Sequence, residues 1–175
     1  MNITIRPSSI GTFLDCSVKF KFQNIDKVQV SKALALAFGS AIHRPLEINY
    51  RQKQETRVDL PTEQMVDEFS AAYEVETESV SPEEWKEENK GAVKDIGVRM
   101  IKKYHLTMSP RIQPLHTELR LEAELNGIDS EIDITLSGQI DLIDNHNYLI
   151  DHKTKKSTPS GVSESYVLQQ TAYKL

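Results

Sequence analysis

The stretch GQIDLIDNHNYLIDHKTKK, residues 138 to 156, sets Asp141 and Asp151 in apolar, strand-like runs and follows the second with Lys153. An isolated charge is costly to bury. Carboxylates in such a setting need a proton, an opposite charge or a metal ion. If Asn145, His146 and Asn147 form a three-residue hairpin loop, Asp141 and Asp151 are equidistant from it and face each other. Their Cβ atoms would then lie about 4.5 to 5.5 Å apart. A loop of two or four residues would shift the register and separate them. Two carboxylates that close favour either protonation of one or a hard divalent cation held by oxygens. Strand alternation puts Lys153 on the face of Asp151 and turns the His152 side chain to the other face, leaving its carbonyl available as a ligand. Asp-x-Lys alone is uninformative, since a surface ion pair worth under about 1 kcal/mol uses the same residues. The apolar Tyr148, Leu149 and Ile150 leading into Asp151 argue for burial instead.

The elements that must position these residues follow from periodicity. A first helix is expected after Ser8 or Ser9 as cap, running through Ile10, Phe13, Leu14 and Val18. ALALAFGSAIHRPLEINY reads as helical but interrupted at Gly39 and Pro45, so a helix starting near Ile42 would place His43 close to its start. Pro61 and Thr62 open a third helix carrying Met65, Val66, Phe69 and Tyr73. Ser81, Pro82 and Glu84 give the start signals of a fourth. Beyond Pro114 the period becomes two. ELRLEAEL alternates as a half-buried strand, NGID makes a turn, and Ile132, Ile134 and Leu136 lead to Gly138, a bulge or bend. The 138 to 153 hairpin and a last helix over SESYVLQQTAYKL complete the chain, with Gln169 and Tyr173 on one helical face. Helices first, then an antiparallel meander closed by a helix, imply an α+β (α/β/α) fold with a mainly antiparallel central sheet flanked by helices.

Length and composition bound the rest. At 175 residues, one domain with a real core is expected. Residues 1–110 form its mostly helical part, carrying His43, and 115–175 its sheet and closing helix. The single cysteine, Cys16, excludes an internal disulfide and a cysteine-only metal site, and reads as a small buried hydrophobe. Net charge is −5, yet residues 63 to 90 hold ten acids against two lysines, so the remainder sums to +3 and can meet phosphate. The acidic run itself reads as a solvated helical face. No signal-peptide pattern opens the chain, and no apolar run nears the roughly 20 residues that cross a bilayer, so no membrane partner and a cytoplasmic location are expected.

The order FGSAIHRPLE, GQIDLID, YLIDHKTKK, QQTAYKL resembles the RecB-type branch of the PD-(D/E)XK nuclease superfamily, which includes CRISPR-associated and AddB-like exonucleases. Each motif is weak alone; their order is specific, and the likeness covers most of the chain. The resemblance implies a restriction-endonuclease-like core and a metal-dependent DNA nuclease, of exonuclease type, working in recombination, repair, phage or CRISPR-adaptation processes. It also implies that His43, Asp141, Asp151 and the carbonyl of His152 hold Mg²⁺ or Mn²⁺, with Asp141, Asp151 and Lys153 as the catalytic set. Gln169, Tyr173 and Lys155 would meet DNA, single- or double-stranded. Glu118 and Glu47 are further candidates, for a metal or water-mediated role and for a partner of His43; a solvent-facing Glu47 is the plainer reading. A helicase or other recombination or CRISPR protein is an implied partner.

Several features depart from the family pattern. Arg44 and Pro45 stand where relatives carry helix-favouring residues, which bears on the aim of His43. Cys16 matches the first of four cysteines that bind a [4Fe–4S] cluster in one branch, but the other three are absent, so no cluster is expected within this chain. The chain ends two residues past Tyr173, as a C-terminally trimmed domain or a piece of a longer one would. Two rival readings stay open: an inactive nuclease-fold subunit that binds DNA or a helicase partner, and a plain α+β interaction domain with structural aspartates.

Overall fold

A computed structural model describes residues 2–29, 31–86, 88–125, 133–157 and 161–173. The fold is mixed α+β. In order come β1 (Asn2–Ile5), α1 (Pro7–Asp15), α2 (Ser17–Phe20), a π-helical turn (Lys21–Ile25), α3 (Leu34–Thr56), α4 (Thr62–Glu78) and α5 (Pro82–Trp85). There follow α6 (Lys90–Thr107), a 3-10 turn (Ser109–Arg111), β2 (Pro114–Leu125), β3 (Asp133–Asp144), β4 (Leu149–Ile150) and α7 (Glu164–Ala172). Contacts divide the chain into two compact units: Val30–Thr117 with Asp141–Thr154, and Met1–Gln29 with Glu118–Ile140 and Lys155–Leu175.

The first of these units holds the main apolar core, where Ile42, Leu46 and Tyr50 of α3 meet Met65, Phe69 and Tyr73 of α4, Ile101 of α6, and Leu142 of β3. α3 is continuous for 23 residues, not interrupted at Gly39 or Pro45 as expected, and His43 lies well inside it. An interior proline costs about 3 kcal/mol because it removes one helical hydrogen bond and crowds the turn before it. The buried stripe Ala37, Ala41, Ile42, Pro45, Leu46, Asn49, Tyr50 outweighs that, since each large apolar residue contributes roughly 1.5–3 kcal/mol. α4 starts and packs as its spacing predicts, with Met65, Phe69 and Tyr73 fully buried. α5 starts after Ser81 as expected but ends at Lys86, whose φ of 47° leaves the helical region. Glu84 does not complete a capping box; it accepts from the Leu34 N–H at 3.4 Å. A fresh cap, the Asn89 side chain accepting from the Ala92 N–H, starts α6.

A buried polar knot ties α3 to the loops around it. Lys53 donates to Asp59 Oδ2 and to the Ser109 carbonyl, both at 2.8 Å, while Asn49 and the Ser109 hydroxyl reach Asp59 Oδ1. Burial works to raise the Asp59 pKa, but the bonds from Lys53, Ser109 and Asn49 and the lysine's charge outweigh it and hold the carboxyl below its ordinary value.

In the second unit β1 runs parallel to β3, pairing Ile3 with Ile134 and Ile5 with Leu136. The sheet is therefore mixed and not purely antiparallel: β3 takes β1 in parallel and β4 antiparallel, and also pairs with β2. α1 begins at Pro7, earlier than the serines suggested; Ser9 reaches back to Arg6, accepting from its N–H at 3.2 Å and donating to its carbonyl at 2.8 Å. The expected continuous first helix breaks at Cys16, which is extended (φ −160°, ψ 103°) and accepts from the Lys19 N–H through sulfur at 3.4 Å. Cys16 is exposed, a helix-capping residue in place of the buried hydrophobe expected. Leu121 and Leu125 on β2 are also exposed, against the expected half-buried face. Gly138 lies within β3. Its missing Cβ leaves room for the Tyr173 ring, whose Cε1 would lie 2.5 Å from an added methyl. The NGID turn, Ile132, Glu87 of the acidic run and residues 174–175 of the last helix lie outside the described residues.

Candidate functional site

The β3–β4 hairpin has the register that its three-residue loop requires, with Leu142 opposite Ile150 and Ile143 opposite Leu149. Asn147 takes φ 62°, closing the loop as a left-handed third residue. Asp144 Oδ1 accepts from the N–H groups of His146 and Tyr148 at 2.9 and 2.8 Å, an Asx arrangement that fixes the turn. The paired register reaches Leu142 and Ile150 and stops there, one residue short of Asp141 and Asp151. β4 itself ends at Ile150, so residues 151–155 are not strand and the alternation expected for them does not apply.

That early end changes the surroundings of His152. Its ring does not turn away from Asp141 as expected: Nδ1 lies 3.6 Å from Asp141 Oδ2, and the ring stacks on Tyr50 at 6.1 Å between centroids. Its N–H donates to Asp141 Oδ2 at 2.7 Å. Its carbonyl lies 2.6 Å from His43 Nε2, and His43 Nδ1 lies 3.6 Å from the same Asp141 oxygen. Three residues expected to act together, His43, Asp141 and His152, thus form one cluster. Burial works to raise the pKa of Asp141, but the His152 ring and N–H, with the charge of His43, outweigh it and keep the carboxyl ionised below its usual range.

Lys153 Nζ donates to Asp151 Oδ1 at 2.8 Å. The lysine is half-exposed while the aspartate is largely buried. Each acid therefore has a hydrogen-bond donor of its own. Glu47 is bound by Arg44 at 3.1 Å and Arg51 at 2.9 Å on its own helix. Gln169, Tyr173, Lys155 and Glu118 belong to the second unit. There Tyr173 donates to the Gln139 carbonyl at 2.9 Å, Gln169 Nε2 reaches the Tyr173 hydroxyl at 3.4 Å, Lys155 sits 4.9 Å over the Tyr166 ring, and Glu118, at φ 53°, accepts from Gln139.

Sequence reasoning missed Tyr50 and Tyr104. Tyr104 contacts His152 Nε2 through its hydroxyl at 2.8 Å, and the two phenols bond each other at 2.7 Å. Burial pushes the Tyr50 pKa up to about 12 and that of Tyr104 higher still, so both remain neutral. Both lie at helical spacing on apolar faces, and nothing local in the sequence pairs them with residue 152.

The donors suit a hard cation in kind: one imidazole nitrogen, one peptide carbonyl and two carboxylates. In position, a nitrogen and a carbonyl oxygen 2.6 Å apart share either a proton or a cation. Among the described residues, no three His, Cys, Asp or Glu side chains gather closely enough to hold a metal ion. No helix among them is long and apolar enough to cross a membrane. The family model of the PD-(D/E)XK nuclease superfamily matches residues 4–175. No curated protein and no solved structure matches the chain.

Proposed function

The chain belongs to the PD-(D/E)XK nuclease superfamily, whose members are usually metal-dependent nucleases, and from that premise we propose that it is a divalent-metal-dependent DNA nuclease of exonuclease type. The observation that carries this reading is that His43 lies between the His152 carbonyl, 2.6 Å from its Nε2, and the ionised Asp141, whose Oδ2 lies 3.6 Å from its Nδ1. His43, Asp141, Asp151 and the His152 carbonyl would hold Mg²⁺ or Mn²⁺. When bound, such an ion polarises a phosphoryl oxygen and lowers the pKa of a water. The chain's own residues supply the rest. Asp141 is kept as a carboxylate, ready to ligate without first losing a proton. Lys153, anchored on Asp151 yet half-exposed, offers an ammonium to a phosphate oxygen and to an attacking water. Gln169 of α7 and Tyr173, which caps its C-terminal end, together with Lys155 are the groups proposed to guide the strand. Recombination, repair, phage or CRISPR-adaptation processes, a helicase partner and a cytoplasmic setting belong to the same proposal, by family likeness alone.

A second reading has its own support. The lack of a three-side-chain metal cluster among the described residues favours a nuclease-fold subunit that binds DNA without turnover. Incubating 5′- and 3′-labelled single- and double-stranded DNA with Mn²⁺, Mg²⁺ or chelator separates the two. Metal-dependent shortening that Asp151→Ala abolishes supports the enzyme; retention of uncut DNA by the wild-type chain in both metals supports the second reading and overturns the first.

A further inference from the structure

Three polar groups of His152 have a close partner, and the fourth, Nδ1, lies 3.6 Å from Asp141 Oδ2. The N–H meets Asp141, the carbonyl meets His43, and ring Nε2 meets Tyr104. The ring is also fixed in plane, stacked on Tyr50 at an interplanar angle of 16° and met edge-on by Tyr104 at 74°. The aim of the His152 carbonyl depends on the backbone torsions of residue 152, in a segment that β4 no longer holds as strand. A ring locked at one end limits those torsions at the other. We propose that Tyr104, supported by Tyr50, is a positioning residue of the proposed metal centre: its hydroxyl fixes the His152 imidazole and through it the peptide group that joins Asp141 to His43.

The hydrogen-bond arithmetic supports this. Two neutral phenols 2.7 Å apart share one proton between them, and when Tyr50 donates to Tyr104, the Tyr104 proton is free to go to His152 Nε2. The remaining imidazole proton then sits on Nδ1, the nitrogen that faces Asp141 Oδ2. In that arrangement Tyr104 pairs with the tautomer that presents a donor to the carboxylate. Tyr50 and Tyr104 come from α3 and α6, so the site is tied to the helical core beneath it.

This inference rests on the metal-dependent reading, and the test separates their failures. Mn²⁺ binding by the full chain is titrated by electron paramagnetic resonance for wild type, Tyr104→Phe, Tyr50→Phe and Tyr104→Phe/His152→Phe, with melting followed in parallel. Tyr104→Phe is expected to weaken Mn²⁺ binding by roughly 10-fold. Tyr50→Phe deletes a hydroxyl of the same buried pair but leaves the contact with His152, so it should lower melting similarly while changing Mn²⁺ affinity far less. A structural role alone would move both variants alike, and that result overturns the proposal. Should Tyr104→Phe not fold, His152→Phe removes the same contact from the other side and should weaken Mn²⁺ binding to the same extent; in the folded double variant the two losses should not add. Unchanged Mn²⁺ affinity in Tyr104→Phe and His152→Phe overturns the inference while leaving the nuclease reading intact. Absence of Mn²⁺ binding by the wild type overturns that reading, and the inference with it.

Discussion

Gly138→Ala should change the sign of its effect with the identity of residue 173. A Cβ at Gly138 would sit 2.5 Å from Tyr173 Cε1 and 3.2 Å from two atoms of the Pro7 ring. Carbon atoms prefer about 3.5–4.0 Å, so the ring overlap is on the order of 1 Å and Tyr173 must move. Its hydroxyl donates to the Gln139 carbonyl, one residue along the same strand, which restrains that movement. Overpacking of this kind costs roughly 1–3 kcal/mol, and a displaced ring forfeits a hydrogen bond worth about 1 kcal/mol. Against this, alanine for glycine at an unstrained strand position stabilises by about 0.4–1 kcal/mol. The net expectation is a loss of about 2 kcal/mol in the wild-type background. With Tyr173→Ala the ring is absent, and Gly138→Ala should become neutral or slightly stabilising. Urea unfolding of the four proteins gives the coupling directly, expected near 2 kcal/mol. Equal effects of Gly138→Ala in both backgrounds would refute the reasoning, since the glycine would then not be making room for the tyrosine.

Gly97→Ala meets a harder wall: its Cβ would lie 2.0 Å from Cζ of the fully buried Phe69, so a loss of roughly 3 kcal/mol is expected in thermal or urea unfolding, partly restored by Phe69→Leu. The depressed pKa of Asp59 makes stability pH-dependent with a definite sign. Its contribution is complete above the unfolded value of about 3.9 and is lost as pH falls through the lower folded value, so urea midpoints should hold from neutrality to about pH 5 and then drop, less steeply in Asp59→Asn. Asp59→Ala, which leaves Lys53 buried without its carboxylate, should cost about 3–5 kcal/mol. Lys153→Ala should lower metal-dependent DNA cleavage by roughly 100-fold or more in protein that is still folded, while costing about 1–3 kcal/mol of stability because the largely buried Asp151 loses a donor; full cleavage by the folded variant would contradict its assignment.

What could be read from the sequence divides along the distance over which each interaction acts. α4 and α7, the three-residue loop and the hairpin register were legible because caps, turn residues and alternation act within a few positions. β1 was not, since Asn2–Ile5 is four residues long and pairs in parallel with a strand about 130 residues later. The break at Cys16 and the continuity through Pro45 failed in opposite directions. In α1 a plausible helical period ran on past a residue that leaves the helical region, whereas in α3 a breaker was overridden by a buried stripe whose partners lie on other helices.

The candidate site shows the same division within a single residue. Alternation assigned His152 its carbonyl as the useful group and its side chain to the opposite face, an argument that holds only while the backbone is strand. Because β4 ends at Ile150, the orientation of residue 152 is set by what the ring meets, and that is a pair of tyrosines from two helices whose spacing announces only apolar packing. The carbonyl still reaches His43, but by a different cause: the ring is held from behind, and the amide is held by Asp141 in front. Local pattern named the groups that could do the chemistry; the aim of those groups depends on contacts made 48 and 102 positions away in the chain, at Tyr104 and Tyr50.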